Sequence, residues 1–129
     1  MIRVTVRVLL FAATTAAAAH ADPRLDYMLQ CRGCHGPEGA GVADAAPSLR
    51  ELSRFVATPA GRDYLIRVPG LSRSELDDAA LAALLNWLLR DQSLPPDFVP
   101  YSRAEVAAAR VAPLADVVTA RHAVLGEVR

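Results

Sequence analysis

The tightest constraint on this chain is the run Cys31-Arg32-Gly33-Cys34-His35, which contains both cysteines of the sequence. On a helix, residues three and four apart share a face. Cys31, Cys34 and His35 can therefore project together from one helical turn. Two thiols and an imidazole then meet at one spot, and the fold must leave room beside them for whatever they hold. Gly33 keeps the segment slim where such a group would approach the backbone.

Cys-x-x-Cys-His is the attachment signal for c-type haem. Two thioethers to the haem vinyl groups and an imidazole on the iron would use all three side chains. Other readings compete. Structural zinc takes four ligands. Beyond the N-terminal leader the chain offers Cys31, Cys34, His35 and the distant His122, with no second cysteine pair. A thioredoxin-like dithiol expects a βαβ pattern nearby, and the sequence shows none. A plain disulfide across two intervening residues would be strained and leaves His35 without a task.

The 129 residues are 53% hydrophobic, which suits one compact domain. The 14 basic residues, all arginine, balance 14 acidic ones. That balance argues against nucleic acid as a partner. The absence of lysine removes one candidate haem ligand.

Residues 1–21 read as an export leader. Arg3 and Arg7 make a basic start, Val8 to Ala19 an apolar run, and Ala19-His20-Ala21 an Ala-x-Ala cleavage site. The run is shorter than the about 20 residues a spanning helix needs. Cleavage after Ala21 would start the mature chain at Asp22 and leave no membrane span; an uncleaved anchor is the alternative. Export agrees with covalent haem, which is attached outside the cytoplasm.

Asp22-Pro23 predicts a helix start, with Asp as N-cap and Pro in the first turn. Leu25, Met28 and Leu29 supply an apolar face, and His35-Gly36-Pro37 ends the helical run. A short helix is expected over Ser48–Val56 and another over Gly61–Val68, with turns at Pro59-Ala60-Gly61 and Pro69-Gly70. The clearest helix follows Asp77, where Leu81, Leu84, Leu85, Leu88 and Leu89 recur around Trp87.

Tyr27, Cys31, Cys34, His35 and Gly36 resemble the opening of a class I c-type cytochrome. Gly39-Ala40-Gly41 resembles the family's glycine-rich loop, and Pro47-Ser48-Leu49 its Pro-x-Leu segment. The resemblance spans residues 22–90. It implies an all-α fold, a small cytochrome c-like helical domain around one haem c. It implies that Cys31, Cys34, His35, Pro47 and Leu49 bind the cofactor, with His35 the proximal iron ligand. It implies that the Pro47 carbonyl accepts a hydrogen bond from the second nitrogen of His35, and that Tyr27 meets Trp87 where the first and last helices of the domain cross.

The chain departs from the family at the distal ligand. The family takes a Met from the loop before the last helix, and Val68–Glu75 contains neither Met nor His. Three arrangements compete: a sixth position without a protein side chain, His122 folded back as a sixth ligand, or Met28. The choice matters, because a Met/His pair raises the potential whereas an open position admits exogenous ligands.

Residues 91–129 form a Pro-rich linker and a helical C-terminal extension. Ser102-Arg103-Ala104-Glu105 is a capping box opening a helix through Arg110. Pro113 interrupts, and Leu114–Val128 is expected to be helical. This extension either wraps the core or docks on a partner. With no nucleophile–base pair or second metal cluster in view, the chain reads as a periplasmic one-electron carrier rather than an enzyme. A redox protein, either a periplasmic dehydrogenase or a terminal acceptor, would be its partner. A haem-based binder of NO, CO or O₂ at an open distal site is the alternative.

Overall fold

The computed structural model describes residues 22–43 and 45–126. The leader expected over 1–21 and the end of the expected last helix lie outside them. Among the described residues the regular structure is helical: α1 (Pro23–Gln30), α2 (Arg32–His35), α3 (Pro59–Arg67), α4 (Pro69–Ser72), α5 (Asp78–Leu89), α6 (Arg103–Arg110) and α7 (Val117–Leu125). A 3₁₀ turn over Leu52–Arg54 stands where a short helix was expected over Ser48–Val56. The expected turn at Pro69-Gly70 instead opens α4, because Pro is compatible with a first helical position.

Side-chain caps set the helix starts. Asp22, Thr58, Asp77, Ser102 and Asp116 each accept a hydrogen bond from a backbone N–H in the first turn of the helix that follows. Each such cap is worth about 1 kcal/mol.

The core is organised by α5. Leu81, Leu84, Leu85 and Leu89 are almost wholly buried, each worth about 1.5–3 kcal/mol of transfer free energy. α1 packs across α5, and the Tyr27 and Trp87 rings meet with centroids 5.6 Å apart. The buried residues of α1 are Asp26 and Tyr27, while Leu25, Met28 and Leu29 remain exposed. The expected apolar face of this helix is therefore not the one that packs. Tyr27 decides the orientation: its ring lies against Trp87, and its hydroxyl donates to the Gly36 carbonyl at 2.6 Å.

The extension packs into the same core. Val106 of α6 is fully buried, and Tyr101 nearly so. α6 lies against α5 and α3, and α7 against α3. Asn86 of α5 donates to the Tyr101 carbonyl at 3.0 Å and accepts from the Tyr101 N–H at 2.8 Å. Arg62 of α3 makes a two-armed ion pair with Glu105, both arms at 2.9 Å, and lies over the Tyr101 ring. The segment between α6 and α7 is tied to the end of α3, with the Leu114 N–H donating to the Arg67 carbonyl and the Arg67 side chain to the Ala112 carbonyl. These ties leave α7 lying along α3, beside a large cavity.

Candidate functional site

Cys31 sits at the joint between α1 and α2. It is the C-cap of the first and the N-cap of the second, and its N–H donates to the Tyr27 carbonyl at 2.9 Å. The His35 N–H closes the next turn on the Cys31 carbonyl at 2.9 Å. That turn brings Cys31, Cys34 and His35 to one cavity of about 390 Å³. The cysteines are not joined to each other. Burial pushes the Cys31 thiol above its ordinary value, and the Asp26 carboxylate and Cys34 act in the same direction.

The imidazole is held from one side. Nδ1 of His35 lies 2.9 Å from the Pro47 carbonyl. A carbonyl can only accept, so Nδ1 carries the proton and Nε2 keeps its lone pair for a metal. The loop that carries Pro47 is folded back tightly under His35. The Gly41 N–H donates to the His35 carbonyl at 2.9 Å, and the Leu49 N–H to the Gly39 carbonyl at 2.8 Å. Val42 and Ala46 pair across the loop in an isolated bridge. Gly41 takes a φ of +82°, a conformation open mainly to glycine.

Pro47 and Leu49 both line the cavity with the three motif residues. Leu52, Phe55, Leu65, Val68, Leu71, Leu85 and Leu88 give it an apolar wall. These features fit a covalent haem: two thiols at the rim, an oriented imidazole, and a greasy slot beside them. No group of three or more His, Cys, Asp or Glu among the described residues could hold a metal ion.

The same cavity is also walled by α3, α4 and α7, and α3 packs on both of the others. Neither His122 nor Met28 is among the lining residues. On α7 it is Val117 and Arg121, four apart, that face the cavity. His122 is one step of about 100° further round the helix and is carried off that face. Met28 stays on the exposed stripe of α1, at 45% exposure.

Tyr64 and Arg121 line the cavity too, and the sequence reading did not place either of them at the site. Tyr64 stacks on Phe55, the rings 5.1 Å apart and 8° from parallel. The Arg121 guanidinium lies 5.1 Å from the centre of the Phe55 ring. The signal available was the spacing of Val117 and Arg121. It becomes meaningful only once α7 is known to cover the cavity.

No family model matches the chain. Among known proteins the chain is similar to a cytochrome c-552 of Thermus thermophilus. The two are 31% identical over an alignment of 112 residues, which takes in 70% of this chain and 75% of that protein.

Proposed function

This chain belongs to the c-type cytochrome family, and on that premise we propose that it is an exported one-electron carrier with one covalent haem c and no methionine on the distal side. The observation that carries this reading is the meeting of Cys31, Cys34 and a Pro47-oriented His35 at one apolar cavity. When bound, the haem supplies the redox couple, its iron alternating between ferric and ferrous. Cys31 and Cys34 tether the group. His35 offers Nε2, and the proton held on Nδ1 by Pro47 makes the ring a more basic ligand. The apolar wall excludes water and so disfavours the more highly charged ferric state.

The leader pattern supports a periplasmic location, and no helix among the described residues is long and apolar enough to cross a membrane. A periplasmic dehydrogenase or a terminal acceptor fits as the redox partner. The second reading, a haem-based binder of a small ligand, is favoured by one feature. The described cavity lining contains His35 but no other histidine and no methionine.

The test is made on mature protein from a host competent to attach haem c. Its mass should exceed that of the chain by one haem, and the haem should survive denaturation. Cys31→Ser with Cys34→Ser should abolish this. Absence of covalent haem would overturn the whole reading. The reduced spectrum with and without CO separates the two roles: a carrier with a filled sixth position ignores CO, and an open site responds.

A further inference from the structure

Turning α1 so that Tyr27 meets Trp87 carries its neighbour Asp26 inward as well. Asp26 is 7% exposed, and its Oδ2 atom is buried with no hydrogen-bond partner. No arginine forms an ion pair with it among the described residues. The other charged and titratable groups around α1 are exposed or engaged elsewhere. On α1 itself, Asp22 and Arg24 are exposed, and the Tyr27 hydroxyl donates to Gly36. α1 packs on α2 and α5. α2 brings an exposed Arg32, Cys34 at the cavity and a His35 held by Pro47. α5 brings Asp78, paired with Arg110, and is flanked by an exposed Asp77 and by Arg90, paired with Asp91.

An ionised carboxylate shut away without a partner costs several kcal/mol, a cost that an apolar side chain would not carry. What such a group can do is respond to a change of charge nearby. Cys31 follows Asp26 by five residues on the same helical run, about 7.5 Å along its axis. The Asp26 carboxylate acts on the Cys31 thiol through space, and a haem tethered to Cys31 comes within the same field. Charges at such distances are felt more strongly in an apolar interior than in water.

We propose that Asp26 is a redox-linked proton site, which takes up a proton when the bound haem is reduced and releases it on oxidation. The inference rests on the haem reading above. One electron passes from the redox partner to the iron, and one proton passes from solvent to a carboxylate oxygen of Asp26. Reduction removes one positive charge from the haem, and burial disfavours the charged form of a carboxyl group once no opposite charge balances it. The carboxylate favours the ferric state and the neutral acid does not, so the reduction potential falls as pH rises.

Mass and spectrum of the haem-loaded protein come first, so that failure of haem attachment is recorded apart from failure of this site. The reduction potential is then measured against pH for wild type, Asp26→Asn, Asp26→Glu and Asp22→Asn. Asparagine caps a helix about as well as aspartate, so Asp22→Asn removes an exposed charge from the same helix and keeps its start. In wild type and Asp22→Asn the redox equilibrium should change by up to about tenfold per pH unit. Asp26→Asn should lose that slope and stay near the potential that wild type reaches in acid. Asp26→Glu should keep the slope and move it along the pH axis. Where Asp26→Asn does not load haem, wild type and Asp26→Glu carry the test by infrared difference spectra. A carboxyl C=O band should then appear on reduction, at a position that Asp26→Glu displaces. A slope that Asp26→Asn retains, a potential of wild type that ignores pH, or the absence of such a band would overturn the proposal.

Discussion

Gly41 shows how closely single atoms control the proximal side. A Cβ built there would stand 2.6 Å from the Ala46 carbonyl oxygen, 2.7 Å from the Ser48 nitrogen and 2.8 Å from the Pro47 carbonyl carbon. The first, second and third of these are backbone atoms that cannot rotate away. Gly41→Ala should therefore displace the segment whose carbonyl orients His35. Gly126, the C-cap of α7, has a similar φ of +67° with open space around it. Gly126→Ala should cost only the left-handed strain, about 1 kcal/mol. Gly41→Ala should cost that and the clash, about 2–4 kcal/mol in denaturant melts. It should also raise the reduction potential, because a weaker Nδ1 bond makes His35 less basic. Equal melts for the two variants would contradict this. The motif residues were legible here because their spacing is a local property of one helical turn. Tyr64 and Arg121 were not, since 57 positions of chain separate them (121 − 64) and only the packing of α7 on α3 brings them together.

Among the elements, α5 and the capping box of α6 could be read from the sequence because periodicity and caps are encoded within a few residues. α1 was harder. Its stripe of Leu25, Met28 and Leu29 predicted one buried face, and the contact with Trp87 selected another. One tie of α6 was invisible to pattern reading, because it runs through the side chain of Arg110. Arg110 donates to the Leu76 carbonyl at 2.9 Å, to the Ser74 carbonyl at 2.6 Å and to the Asp78 carboxylate at 3.0 Å. Its side chain is 17% exposed. It thus clamps the link between α4 and α5, the stretch in which the family resemblance looked for a methionine. Losing one buried partner of several charge-assisted bonds costs about 2–4 kcal/mol. Arg110→Ala should lower stability by that amount in a chemical melt, and Arg103→Ala, at an exposed position of the same helix, by less than about 0.5 kcal/mol. Limited proteolysis of Arg110→Ala should cut first between Ser72 and Asp78. Cleavage unchanged from wild type would mean that the clamp does not hold this link.

For the whole molecule, the all-α architecture was implied by the family resemblance, and periodicity located single helices within it, while the placement of the extension depended on long-range contacts no local pattern carries. Those contacts centre on Tyr101, which links the parts of the chain before and after the Pro-rich linker. Its ring lies under Arg62, its backbone is bracketed by Asn86, and its hydroxyl donates to the Arg62 carbonyl at 3.3 Å. Burial drives its hydroxyl far above the ordinary tyrosine value, against the opposing pull of Arg62. Tyr27 and Tyr64 are also raised, burial being the largest cause in each. A phenol raised in the folded state binds its proton more tightly there than in the unfolded chain. The stability this gives is complete below the unfolded value of about 10 and is lost as pH climbs above it. In the haem-loaded protein the cysteines are thioethers and do not titrate, so the alkaline limb reports the tyrosines. The melting temperature should be nearly level from about pH 8 to 9.5 and fall steeply above about pH 10. Tyr101→Phe should melt lower at neutral pH, through the lost hydroxyl bond, yet fall less steeply on the alkaline side. The two curves should therefore converge as pH rises. Parallel curves would show that Tyr101 ionises as easily folded as unfolded, and that the core around it admits charge.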